Sequence, residues 1–235
     1  MGLIKSIVKR IVYGSPENPS DKMVARLRGM GMRIGERTTF FDPNSCLIDE
    51  TRPWLIEIGD DVQITHGVVI LTHGYDWAVL KGVYGEVLGS AGKVTIGNNV
   101  FIGVRSVILK GVTIGNNVII GAGSLVNKDV PDNCVVAGNP ARVVMSLEDY
   151  HAKRIKAQKD EAAELVREYR TVYGTDPDEA VLSEFFWLFT QSPEQVVHPS
   201  WQIQMNNLGN REFSNERLSL HNPEYSNMQE FLNQC

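Results

Sequence analysis

The chain has 235 residues, 43% of them hydrophobic, and a formal net charge of −5. That length supports one sizeable core and at most two domains, and the negative balance excludes a general nucleic-acid binder, which needs clustered cations against phosphates. Cys46, Cys134 and Cys235 fit no zinc spacing and point to a reducing, cytoplasmic compartment, and no apolar run reaches the ~20 residues that span a bilayer.

The first predicted element is an amphipathic helix over residues 3–12, with Leu3, Ile4, Ile7, Val8, Ile11 and Val12 on one face and Lys5, Lys9 and Arg10 opposite. The segment is too short and too soon interrupted by charge for a secretory signal. It matches the M-G-x-x-x-[ST] myristoylation pattern through Gly2 and Ser6, a pattern short enough to arise by chance. A second short helix is expected from Asp21 to Met30, completing an N-terminal helical segment, 1–31.

Residues 32–145 then repeat. In steps of six the chain places Ile34, Phe40 and Cys46, and, after a break near Arg52, Ile58, Ile64 and Ile70. After a longer break the step resumes with Ile96, Ile102, Ile108, Ile114, Ile120 and Val126. A small or β-branched residue lies four places after many of these, as at Thr38, Val62, Val68, Val100, Ser106, Val112, Val118 and Ser124. A period of six fits neither a helix nor an isolated hairpin, and a sandwich would turn every 8–12 residues. It fits an all-β solenoid of short strands, each coil resting on its neighbours around an aliphatic core. Glycine and asparagine, as in Asn98-Asn99 and Asn116-Asn117, suit its corners. The stretch from Gly74 to Gly92 reads as a loop thrown out of the solenoid, carrying Tyr75, Asp76, Trp77, Tyr84 and Glu86.

A helical extension, 146–235, follows. Ser146 and Asp149 resemble a capping box for a helix reaching Tyr173, which Gly174 stops. Asp176-Pro177 starts another helix with an apolar face of Val181, Leu182, Phe185, Phe186 and Phe189, expected to pack back on the solenoid or on a partner subunit. Beyond Ser192 the chain is polar, with weak helical signals.

The repeat, the loop-borne Thr72-His73-Gly74, and the string Ala137-Gly138-Asn139-Pro140-Ala141-Arg142-Val143-Val144 together resemble the left-handed parallel β-helix (hexapeptide-repeat) acetyltransferases. Within that family the chain is most similar to maltose and galactoside O-acetyltransferases and the sugar acetyltransferases of polysaccharide clusters. The left hand of the coil, a homotrimer and acetyl-CoA as cosubstrate are implied by the resemblance, not by the spacing. The chain departs from the sugar enzymes at Gly74, where they usually carry proline, and over residues 1–30.

Acyl transfer to a hydroxyl needs a base for the acceptor proton and a donor for the developing thioester oxyanion. It also needs both substrates held together. His73 is the expected general base, because a neutral imidazole accepts a proton near pH 7 and because it aligns with the family's catalytic histidine. His66 reads as a structural or interface residue, and His151, His198 and His221 as solvated or packing residues. The resemblance places an acceptor-side acid or amide near Asp42 or Asn44, either of which could orient the acceptor hydroxyl or the imidazole. Asp76, Trp77 and Glu86 are candidate sugar contacts. For coenzyme A the resemblance implies Gly121 and Ala122 along the pantetheine, Asn127 and Lys128 beside it, and Arg142 at the nucleotide phosphates, where a guanidinium offers several fixed donors. Gly103 is the expected amide donor near the thioester. No metal motif is present in the sequence, and Gly29-Met30-Gly31 and Gly92-Lys93 lack the surroundings of nucleotide-binding loops. The expected activity is O-acetylation of a sugar or polysaccharide precursor. N-acetylation of an amino sugar and a non-catalytic scaffold are the alternatives, and the presence of His73 and Arg142 favours an enzyme.

Overall fold

The computed structural model describes residues 18–235; the helix expected over residues 3–12 and the Gly2–Ser6 pattern lie outside them. Two compact units divide the described residues, one reaching to Tyr150 and the other running from His151 to Cys235.

The first unit opens with helix α1 (Pro19–Gly29), started by Asn18, whose side chain accepts from the Ser20 amide at 3.0 Å. Met23, Val24 and Leu27 of α1 join the core of the coils, so this helix belongs to the repeat unit and is not a separate segment. The first coil holds β1 (Arg33–Ile34), β2 (Thr39–Phe40) and β3 (Leu47–Ile48), and the second β4 (Ile56–Ile58), β5 (Gln63–Ile64) and β6 (Val69–Ile70). The third holds β7 (Val94–Ile96), β8 (Val100–Ile102) and β9 (Val107–Ile108), and the fourth β10 (Thr113–Ile114), β11 (Val118–Ile120) and β12 (Leu125–Val126). Successive strands rotate through three parallel sheets, β1-β4-β7-β10, β2-β5-β8-β11 and β3-β6-β9-β12, which makes a three-sided parallel β-helix. A hairpin of β13 (Cys134–Ala137) and β14 (Arg142–Ser146) continues the second sheet, β13 parallel to β11 and β14 antiparallel to β13.

The register stacks like on like. Ile34, Ile58, Ile96 and Ile114 lie one above another. So do Phe40, Ile64, Ile102 and Ile120, and Ile48, Ile70, Ile108 and Val126. All are buried, as are the corner residues Thr38, Val62, Val68, Val100, Ser106, Val112, Val118 and Ser124. Burying each aliphatic side chain stabilises the coil by roughly 1.5–3 kcal/mol. The register also corrects the sequence step at one place. The 3₁₀ turn Pro43–Ser45 adds two residues to the first coil, so Ile48 and not Cys46 reaches the core, and Cys46 is only half-buried against it.

The three edges of the prism differ. Between the first and second sheets, each coil's corner amide is taken by an Asx side chain of the next coil: Glu36 N to Asp60 Oδ1 (2.6 Å), Asp60 N to Asn98 Oδ1 (2.8 Å), Asn98 N to Asn116 Oδ1 (2.9 Å) and Asn116 N to Asp132 Oδ1 (2.7 Å). Gly97 is obligatory there, since a Cβ would stand 2.7 Å from the Gly115 carbonyl oxygen. The outward face of the first sheet is ionic, with Glu57 bridging Arg33 and Lys93. The outward face of the third is aliphatic, formed by Leu47, Val69, Val107 and Leu125, with Leu47 54% exposed.

The stretch read as a loop from Gly74 to Gly92 contains helix α2 (Trp77–Tyr84), ended by Gly85 in the left-handed conformation at φ 78°. Its short length and largely exposed apolar residues hid its helical period from sequence reading.

The second unit is helical. Helix α3 (Leu147–Tyr173) begins at the expected cap, with the Asp149 amide donating to Ser146 Oγ at 3.0 Å. The helix expected after Pro177 is instead a series of turns with a 3₁₀ segment, Phe186–Leu188. Leu182, Phe186 and Phe189 are buried within the second unit itself, in one core with Ala162, Val166, Trp201, Leu218 and Phe231, where the sequence suggested a face for the solenoid or a partner subunit. Tertiary burial from several directions replaced the one-sided face that the spacing suggested. Three further helices, α4 (Pro199–Asn206), α5 (Arg211–Ser219) and α6 (Met228–Gln234), occupy the polar tail. Among the described residues no helix is long and apolar enough to cross a membrane.

Ile64, fully buried between Phe40 and Ile102, tests the stacking. Ile64→Ala is expected to destabilise the repeat unit by about 2–5 kcal/mol in urea unfolding, the usual range for an aliphatic core truncation.

Candidate active site

Sequence reading placed one histidine at the point where the coil opens into the loop, and the geometry there is specific. His73 directly follows Thr72 at the edge between the third and first sheets. An isolated bridge to Ala91 and hydrogen bonds from Gly74 N to Ser90 O (3.3 Å) and from Gly92 N to Thr72 O (2.9 Å) close the base of the loop. His73 Nδ1 lies 2.6 Å from Asp49 Oδ2. The His73 side chain is 23% exposed and that of Asp49 only 3%. Asp49 is thus a buried carboxylate directly behind a partly open imidazole.

Asp49 is saturated with donors. Its Oδ1 accepts from Thr51 N (3.0 Å) and Thr51 Oγ1 (2.6 Å); its Oδ2 accepts from Thr72 N (3.1 Å), from the Thr72 hydroxyl and from His73. Burial is the largest single influence on its pKa and pushes it up. The hydrogen bonds from Thr51, Thr72 and His73 together outweigh it, and the carboxyl is held far below the usual carboxylate range. An ionised carboxylate only accepts, so Nδ1 of His73 carries the hydrogen, and whenever the ring is neutral the lone pair is on Nε2. That is the tautomer a general base requires.

The same spacing of residues recurs on another edge. His66 Nδ1 meets Asp42 Oδ2 at 2.8 Å, between the second and third sheets. The hydrogen bond from His66 holds the Asp42 carboxyl below its usual range. This pair is about half exposed on both sides. The expectation that Asp42 orients the His73 imidazole is therefore corrected: Asp42 holds His66, and Asp49 holds His73. Asn44 is exposed in the adjoining 3₁₀ turn.

Gly103, Gly121 and Ala122 share the edge of Asp42 and His66. The Gly103 N–H donates to Ile120 O at 2.8 Å and the Gly121 N–H to Val136 O at 2.8 Å. The ladder thus commits the Gly103 amide expected to serve a thioester. Here the corner residues equivalent to the Asx ladder are Val104 and Ala122, which carry no side-chain acceptor. Ala122 is exposed, and its nitrogen would stand 2.5 Å from a Cβ on Gly103, so glycine at 103 keeps that amide open.

Lys128 lies on the His73 edge, two coils further on, and Arg142 begins β14 beside it. Both line a cleft of about 150 Å³ with Asp129, Pro131 and Ala141. Asn127 is exposed next to Lys128. On the loop, Asp76 and Glu86 are exposed, and Trp77 packs against Tyr75 with ring centroids 5.0 Å apart.

Comparison with known proteins bears directly on this arrangement. Residues 93–128 match the family described as bacterial transferase hexapeptide (six repeats). The chain is 44% identical over 128 residues to Protein CapG of Staphylococcus aureus, covering 54% of this chain and 73% of that protein. The chain belongs to the hexapeptide-repeat acyltransferase family. It is also 36% identical over 126 residues to the putative acetyltransferase YvoF of Bacillus subtilis, covering 54% of this chain and 67% of YvoF. With the galactoside O-acetyltransferase of Escherichia coli the identity is 38% over 134 residues, covering 55% of this chain and 63% of that enzyme.

In this hexapeptide-repeat acyltransferase the residue after the histidine is glycine for a local reason. The Gly74 amide donates to Ser90 O, which proline cannot do, and a Cβ at 74 would collide with Asp76 Oδ1. Sequence reading missed Asp49. Its signal was the register: with Ile48 facing Ile70, Asp49 falls beside Leu71 and reaches Thr72 and His73.

The depressed Asp49 pKa sets a pH dependence. Below about pH 5 the unfolded chain, whose aspartate titrates near 3.9, takes up a proton before the folded chain does. Stability from Asp49 is thus full above the ordinary value and lost as pH falls. The stability gap between wild type and Asp49→Asn, measured by urea unfolding, is expected to be widest near pH 7 and to shrink toward pH 3.

Proposed function

We propose that this acyltransferase carries an acetyl group from acetyl-CoA to a hydroxyl of a sugar or polysaccharide precursor, with His73 as base and Asp49 as its positioning residue. The observation that carries the reading is the His73–Asp49 pair, a buried carboxylate held against a partly exposed imidazole. The names of the relatives agree with it: one is a galactoside O-acetyltransferase and another a putative acetyltransferase.

The chemistry follows from those groups. Nε2 takes the hydroxyl proton as the acceptor oxygen attacks the thioester carbonyl. The imidazolium formed is stabilised by the ionised Asp49, and it returns the proton to the departing thiolate as the carbon–sulfur bond breaks. Asp42, Asn44, Asp76, Trp77 and Glu86 are assigned to the acceptor. Gly121 and the open Ala122 amide are assigned to the pantetheine, with Gly103 as the small neighbour that leaves room for it. Asn127, Lys128 and Arg142 are assigned to the distal part of the cofactor, where two cations converge on one cleft.

These assignments fall on two different edges of one prism. His73, Lys128 and the loop share one edge, while Asp42, Gly103, Gly121 and Ala122 share another, and the aliphatic outer face of the third sheet lies between them. A site uniting both edges needs a second copy of the chain. We therefore infer a homotrimer of left-handed coils in which each groove pairs the His73 edge of one protomer with the other edge of its neighbour, in the cytoplasm. Covering Leu47 and its aliphatic neighbours supplies the driving force. Light scattering is expected to give a trimer; a fully active monomer contradicts the shared site.

His73→Ala is expected to lower acetyl transfer, followed as thiol release from acetyl-CoA, by about 10²–10⁴-fold with the coil intact by circular dichroism. A loss of less than threefold contradicts the assignment. Arg142→Ala is expected to raise KM for acetyl-CoA more than it lowers kcat, because a phosphate contact binds ground and transition states alike.

A further inference from the structure

Gly74 carries two charges above it. A Cβ built on Gly74 would collide with Asp76 Oδ1 and lie 3.2 Å from Lys110 Nζ, so both side-chain tips converge on the residue that follows the base. Among the described residues the two are not joined as an ion pair, and no hydrogen bond or ion pair engages either side chain. Asp76 stands at the N-cap position of α2, yet its side chain makes no capping hydrogen bond there. A carboxylate that forgoes its cap and an ammonium that forgoes the carboxylate beside it leave both groups available to a ligand lying over Gly74.

Resting on the reading of His73 as base, we propose that Lys110 is an acceptor-binding residue, set against Asp76 across Gly74, that selects a sugar bearing a negative charge. Asp76 accepts from sugar hydroxyls, and Lys110 supplies a point charge to a carboxylate or phosphate on the same acceptor. Lys110 does not serve the cofactor phosphates. It sits one coil from the level of His73, at the ~4.8 Å spacing of neighbouring strands. The pantetheine arm, anchored by its thioester at His73, is far longer than one coil. Lys128 and Arg142, further along, are the cations at phosphate distance. Gly74 gives the acceptor its room: any side chain there would displace the Asp76 carboxylate.

The test compares matched acceptors. A hexose, its uronic acid and its 1-phosphate are assayed with acetyl-CoA on the wild-type chain and on Lys110→Gln, in both gluco and galacto series. In the wild type one of the anionic forms is expected to have about a tenfold lower KM than the neutral hexose. Whether the uronic acid or the 1-phosphate shows the gain identifies the source of the charge. Lys110→Gln should abolish that gain while leaving KM for the neutral hexose and for acetyl-CoA unchanged. No anionic preference in the wild type, an equal rise for neutral and anionic acceptors, or a raised KM for acetyl-CoA overturns the proposal. If no sugar is acetylated, the functional reading fails, and the proposal is then decided by ligand-observed NMR. Lys110-dependent binding of the uronic acid or the 1-phosphate over the hexose upholds it, and equal binding overturns it.

Discussion

The parallel ladder between coils is the constraint on which everything else in the repeat unit rests. Each strand pairs with its counterpart one coil on, so an isoleucine in one coil stands on an isoleucine in the next. The position of a residue within its coil therefore dictates both whether it is buried and which edge of the prism it occupies. Chemistry can be built only at the edges, where the chain turns and side chains or amides are released from the ladder. The Asx ladder seals one edge. The other two carry the His73–Asp49 pair on one and the Gly103, Gly121 and Ala122 corners on the other, which is why the proposed site calls for a second copy of the chain.

Within that frame one buried charge organises the surroundings of His73. Taking a carboxylate out of water is costly unless donors replace the water. Asp49 receives them from Thr51, Thr72 and His73, each held by the turn that leaves the coil. The arrangement fixes the imidazole and its tautomer without a second ionised partner. His66 and Asp42 show what the same pair looks like without burial: an exposed contact on another edge, with Asp42 at the N-cap of a turn.

Much of this was legible in the sequence because a step of six has few structural solutions. The isoleucines on the step of six, Ile58, Ile64, Ile70, Ile96, Ile102, Ile108, Ile114 and Ile120, all reached the core, and the loop and His73 fell where the step was interrupted. What was not legible depends on local insertions and on tertiary packing. Two extra residues at Pro43–Ser45 moved the core position from Cys46 to Ile48, and with it hid Asp49 as the partner of His73. The apolar residues after Pro177 are equally compatible with a helix face or with turns folded around a small core, and their spacing alone does not separate the two. Lys110 carried no motif; only the approach of its ammonium to Gly74 marked it.

The central claim is that Asp49 holds His73 with hydrogen on Nδ1 and a free lone pair on Nε2. Nitrogen-15 NMR of histidine-labelled protein, assigned with His73→Ala, reads this directly at a pH where the ring is neutral. The account predicts a pyrrole-type Nδ1 and a pyridine-type Nε2 for His73, with the preference weakened in Asp49→Asn. An Nε2–H tautomer in the wild type, or a tautomer unaffected by Asp49→Asn, contradicts it.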